Sequence, residues 1–161
     1  AVAIFACFVA MNFLFGKSAK MLLSVLVLVW IADIGAYFVG KAFGRRKLAL
    51  NISPGKSWEG AIGGAAAVLA FGFASAFIPV LRDTFAERVF ATQGAFALIL
   101  VMSLIASASV IGDLFESLLK RRIGFKDSSH LLPGHGGVLD RIDALIPVLP
   151  IAAMLVASWN L

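Results

Sequence analysis

Long apolar segments recur along this chain of 161 residues and leave it few ways to fold. A bilayer-crossing helix needs about 20 largely apolar residues. Four stretches reach that length, roughly 21 to 40, 60 to 81, 94 to 119 and 142 to 161, and residues 1 to 15 read as part of a fifth. None shows the period-two alternation of a barrel strand, so the expected class is all-α, a polytopic transmembrane helical bundle in a single membrane-embedded domain. Composition agrees, since 61% of residues are hydrophobic and 14% charged, with a mean hydropathy of +0.98. A soluble domain carries about a quarter charged residues. The opening AVAIFACFVAMNFLF has no basic region before it and no small-residue cleavage site, so it fits a signal peptide poorly. It reads as a remnant of a spanning helix, and the chain as the C-terminal part of something longer. The lone Cys7 lies in this apolar run and reads as a small buried hydrophobe.

The net charge of +5 sits mainly in two loops. One holds Lys41, Arg45, Arg46, Lys47 and Lys56; the other holds Lys120, Arg121, Arg122, Lys126 and Arg141. Between them Arg82, Asp83, Glu87 and Arg88 cancel. The positive-inside rule puts both basic loops on the cytoplasmic face and residues 82 to 93 on the other, with Lys17 and Lys20 as weaker counter-signals. Basic loops in a membrane chain mark topology rather than nucleic-acid binding. Both chemically rich stretches are thus expected on the cytoplasmic side of the cell's inner (plasma) membrane, as a single composite site would need.

The stretch SLLKRRIGFKDSSHLLPGHGGVLDRID, residues 117 to 143, is the chemically richest. Charge at a membrane boundary is costly unless solvated, paired or bound to a ligand. Asp113, Ser117 and Lys120 fall on one helix face, and Glu116 is placed for an i,i+4 pair with Lys120. Asp140 and Asp143, spaced i,i+3 at the start of the last helix, either answer its dipole or hold Mg²⁺, with Asp113 as the third oxygen donor. Gly134, Gly136 and Gly137 let backbone N–H groups converge on an anion. His135 reads as a hydrogen-bonding loop residue that touches phosphate, since one His without a thiol does not make a zinc site. The second rich stretch, NISPGKSWEG, ends like a P-loop, but the required first glycine is Leu50 and the P-loop reading fails. A loop ending at a helix N-terminus survives, with Lys56 and Ser57 able to meet an anion. Asp33, Tyr37 and Lys41 share one face of a spanning helix, where an intramembrane Asp is a functional hypothesis by default. Gly60 and Gly64 form a GxxxG suited to close helix approach, which leaves room for a helix-packed homodimer.

In order and spacing, the residues from Ser117 and Leu119 through Lys120, Arg121, Lys126, Asp127, Ser129, Leu132, Pro133, His135, Gly136, Gly137, Val138, Asp140, Arg141, Ile142 and Asp143 resemble the signature of the phosphatidate cytidylyltransferase (CDP-diacylglycerol synthase) family without departure. ISPGKSWEG resembles the family's other recurrent block, with Gly55 and Ser57 where Lys and Thr are also common; Asp33, Tyr37, Gly40 and Gly44 also look like that family. The resemblance covers roughly residues 30 to 145. It implies transfer of CMP from CTP to phosphatidate in phospholipid biosynthesis, with pyrophosphate released and a divalent cation required, usually Mg²⁺ and with room for a second cation. Together with the residue reading it assigns Asp113, Lys126, Asp127, His135, Asp140, Arg141 and Asp143 to catalysis, and Asp113, Asp140 and Asp143 to the metal. Lys56, Ser57, Ser117, Lys120, Arg121, Gly136 and Gly137 become substrate-binding residues. A related transferase acting on another lipid phosphate shares these features. A transporter with Asp33, Asp113 and Asp140 along an ion path has no use for the basic, glycine-rich cluster.

Overall fold

In the computed structural model, residues 2–50, 52–122, 124 and 142–161 are described. The chain runs α1 (Val2–Lys17), α2 (Ala19–Phe43), β1 (Lys47–Ala49), β2 (Ser53–Ser57), α3 (Trp58–Phe77), a 3₁₀ turn (Pro79–Leu81), α4 (Phe85–Arg122) and α5 (Leu145–Trp159). Among the described residues three helices, α2, α3 and α4, are long and apolar enough to cross a membrane, and the protein is an integral membrane protein. α1 and α5 have 16 and 15 residues, so the described helix of the fourth expected span is shorter than the segment 142 to 161. Leu28, Leu98, Met102 and Ile105 are fully buried between helices, while Phe38, Ile62, Phe96 and Ile111 are exposed. Apolar residues on both faces are what a bundle bathed in lipid requires.

α2 and α3 approach closely because small residues line the seam. A side-chain carbon at Gly64 would lie 2.5 Å from the Ala32 carbonyl oxygen, and one at Gly60 would lie 2.8 Å from that of Ala36. The GxxxG is therefore used inside this chain, between consecutive helices, and its seam is not a free dimer surface.

Two features depart from the expected layout. The segment between α2 and α3 is not a plain loop but an antiparallel hairpin, with Lys47 opposite Ser57 and Ala49 opposite Ser53. Residues 85 to 93, expected within a charged connection, are helical. The Thr84 hydroxyl accepts from the Glu87 N–H at 3.4 Å, and Phe85, Ala86 and Val89 are buried. This leg meets the long part of α4 at Gly94, whose φ of 81° breaks the helix and favours glycine.

The hairpin and the last turns of α4 lie at one end of the bundle, where the Arg121 Nε donates to the Ile52 carbonyl at 3.4 Å. The start of α2 and residues 82–85 lie at the other, joined by Lys20 Nζ to the Arg82 carbonyl at 2.6 Å and by the Phe85 N–H to Ser24 Oγ at 2.9 Å.

Candidate functional site

The hairpin, α2, α3 and α4 line an open cleft of about 1000 Å³. Its wall carries Asp33, Tyr37 and Lys41 from α2, Lys47, Lys56 and Ser57 from the hairpin, Asp113 and Lys120 from α4, and Asp143 from the segment before α5. Trp30, Ala106 and Val110 continue it with apolar surface. Polar and apolar linings thus meet in one concavity.

Local structure explains how each group arrives there. The Ser57 hydroxyl accepts from the Gly60 N–H at 3.1 Å and caps α3, which fixes the end of β2 and aims the neighbouring Lys56. Gly40 leaves room for that cap, since a side-chain carbon there would lie 3.2 Å from Ser57 Oγ. Glu59 in the first turn of α3 accepts from the backbone N–H groups of Arg45 and Arg46 at 3.1 and 3.2 Å, closing the base of the hairpin. Gly112 admits the segment carrying Asp143 against α4; a side-chain carbon there would lie 2.6 Å from the Asp143 carbonyl oxygen.

The central contact is an ion pair between the Lys56 ammonium and the Asp113 carboxylate, in which both side chains are about a quarter to a third exposed. Ser117 Oγ donates to the other Asp113 oxygen at 3.5 Å, one helical turn on. Lys120 pairs with buried Glu116 at 2.7 Å, the i,i+4 contact its spacing suggested. Lys41 lies over the Tyr37 ring, 5.7 Å from its centroid. The Asp33 carboxylate accepts from Ser109 Oγ at 3.4 Å, which ties α2 to α4 deeper in the bundle.

Of the residues singled out from sequence, Lys56, Ser57, Asp113, Lys120 and Asp143 line this cleft, with Ser117 beside it on Asp113. Arg121 instead fastens the hairpin through the Ile52 carbonyl. Asp143 is a turn residue ahead of α5, and its Oδ1 accepts from the Ala144 N–H at 2.8 Å. Lys126, Asp127, His135, Gly136, Gly137, Asp140 and Arg141 lie outside the described residues. Sequence reasoning gives Lys47 only a topological role and passes over Ser109 and the structural role of Glu59. Ser109 carried a readable signal, since it stands one turn before Asp113 on the same face of α4.

Among the described residues no three His, Cys, Asp or Glu side chains form a metal cluster. Asp113 and Asp143 both present carboxylates to the cleft, and such hard oxygen donors suit Mg²⁺.

The model of the cytidylyltransferase family matches residues 1–159. A phosphatidate cytidylyltransferase of Pseudomonas aeruginosa is 51% identical over 142 residues, covering 87% of this chain and 49% of the relative. One of Haemophilus influenzae is 50% identical over 130 residues, 81% of this chain and 43% of the relative, and one of Brucella suis is 48% identical over 118 residues, 73% and 40%. The chain spans about half the length of the curated relatives it matches. With a family match over nearly its whole length, this chain belongs to the cytidylyltransferase family.

Proposed function

We propose that the protein transfers CMP from CTP to phosphatidate, giving CDP-diacylglycerol and pyrophosphate. The observation that carries this reading is the convergence of Lys56 and Asp113, from separate blocks of sequence, in a cleft whose polar wall continues into apolar surface. One substrate is a soluble polyanion and the other an anionic lipid, and such a cleft can receive both.

A phosphatidate phosphate oxygen attacks the α-phosphorus of CTP. A new P–O bond forms as the bond to the bridging oxygen of the β-phosphate breaks, and pyrophosphate leaves with that electron pair. The nucleophile is already an anion, so the protein's task is positioning and charge stabilisation rather than deprotonation. Lys41, Lys47 and Lys56 supply positive charge along the cleft wall. Asp113 orients Lys56, and Ser117 steadies Asp113. Mg²⁺ held by Asp113 and Asp143, with Asp140 as the third donor expected from sequence, would neutralise phosphate charge when bound.

Incorporation of radiolabelled CTP into lipid by the purified full-length protein tests the reading. Label must appear in CDP-diacylglycerol, depend on added phosphatidate and fall when Mg²⁺ is chelated. Label that appears with a different lipid phosphate but not with phosphatidate would contradict it.

The hairpin end of the bundle faces the cytoplasm in this proposal, because CTP is supplied there and the basic residues cluster there. Single cysteines at Ser53 and Thr92 in a Cys7→Ser background distinguish the orientations. An impermeant maleimide should label Thr92→Cys and spare Ser53→Cys in intact cells, and the reverse pattern contradicts the orientation.

A further inference from the structure

Asp33 has no place in the chemistry derived so far, yet it stands within the apolar helix α2 and lines the same cleft. A carboxylate at that depth is costly unless something offsets its charge. The Ser109 hydroxyl, 3.4 Å away, is a neutral donor at long range and cannot supply the balance. Ser109 stands one turn before Asp113 on α4, so its contact sets Asp33 about one turn deeper in the cleft than the Lys56–Asp113 ion pair. Lys56 therefore contacts a carboxylate on α4 and shares the cleft with one on α2 that lies deeper in the bundle.

We propose that Asp33 is a positioning residue that keeps the Lys56 ammonium inside the cleft. A lysine side chain is long and flexible, so its head must be restrained to meet a particular phosphate. Asp113 restrains it directly, and Asp33 holds it from the membrane side when phosphate groups compete for the contact with Asp113. Ser109 fixes the direction of the Asp33 carboxylate. This inference rests on the proposed cytidylyl transfer, in which Lys56 faces developing phosphate charge.

The test compares Asp33→Asn, which keeps an oxygen to accept from Ser109 but removes the charge, with Ser109→Ala, which removes the hydrogen bond but keeps the charge. Both are measured in the full-length protein by incorporation of labelled CTP, with melting temperature in detergent as the folding control. Asp33→Asn should lower kcat about tenfold with KM for CTP changed less than about threefold and an unchanged melting temperature, whereas Ser109→Ala should stay within about threefold of the unmutated protein. In a Lys56→Ala background, Asp33→Asn should cost less than about a further twofold, because its route of action is gone. A Ser109→Ala loss as large as that of Asp33→Asn would make the pair a brace between α2 and α4 and overturn the inference. So would an Asp33→Asn loss that persists in full without Lys56. If the unmutated protein incorporates no label, the proposed activity falls and takes this inference with it. If it is active and the variants behave in either contrary way, only the role of Asp33 falls.

Discussion

At the end of the bundle formed by the start of α2 and residues 82 to 88, charged groups answer to the backbone and to one another. Lys20 donates to the Arg82 carbonyl, Glu87 accepts from the Asp83 N–H at 3.0 Å, and Arg88 pairs with Asp83 at 3.1 Å in the open. At the hairpin end, Lys56 and Asp113 come from different elements, meet in a cleft and are joined along its wall by Lys41, Lys47, Lys120 and Asp143. Ser18 and Ser57 show the same contrast. Both cap a helix, but the cap at Ser18 does no more than start α2, whereas the cap at Ser57 also sets the direction of Lys56. Charge at a membrane boundary thus has two uses. Where it is spent on neighbours in sequence it marks an edge; where it converges from distant segments into a concavity it can bind and transform a ligand.

The largest effect expected from this difference is that of Asp113→Asn. The change keeps an acceptor for the Ser117 hydroxyl and removes the charge that pairs with Lys56 and could hold Mg²⁺. kcat/KM for CTP in the full-length protein should fall by about a hundredfold or more while the fold survives, because electrostatic groups at a reacting phosphate carry several kcal/mol. Steady-state incorporation of label, alongside a thermal melt in detergent, checks both parts. Near-normal activity at saturating Mg²⁺ would erase the distinction between the two ends.

A smaller effect, on stability, should come from the seam that holds the hairpin end together. Gly64→Leu forces a side chain onto the Ala32 carbonyl and should destabilise the protein by about 1–3 kcal/mol through overpacking, visible as a lower melting temperature. If melting is unchanged, α2 and α3 do not touch as closely as described.

Arg88→Ala at the opposite end should do least. Its partner Asp83 is 66% exposed and such pairs contribute at most about 1 kcal/mol, so activity should be unchanged and melting nearly so. A marked loss of turnover would mean that this end too takes part in the chemistry.

How much of this was legible in the sequence depends on whether the signal was local. The spanning parts of α2, α3 and α4 follow from runs of apolar residues. The shared face of Asp113 and Ser117, the Glu116–Lys120 pair and the fit of Gly60 and Gly64 follow from helical spacing. The hairpin was hidden because SPGKS carries Pro and Gly and no alternation, a poor advertisement for a strand. The leg from Phe85 was hidden by Arg82, Asp83, Glu87 and Arg88, whose charges mask the buried Phe85, Ala86 and Val89 between them. The approach of Lys56 to Asp113 is a tertiary fact, invisible to spacing; the matching family blocks pointed to a shared site but could not name the contact. The i,i+3 spacing of Asp143 from Asp140 suits a helix, whereas Asp143 itself sits in a turn whose backbone closes on Gly112.

The central claim, that Lys56 and Asp113 act as one unit in a single site, is tested most directly by a double-mutant cycle on kcat/KM for CTP. Lys56→Ala, Asp113→Asn and the double variant are compared with the unmutated full-length protein under one fixed Mg²⁺ concentration. Residues that work together lose their function once, so the double variant should be no more than about threefold worse than the poorer single variant. Losses that multiply in full would show that the two residues act independently, and the single-site account would be wrong.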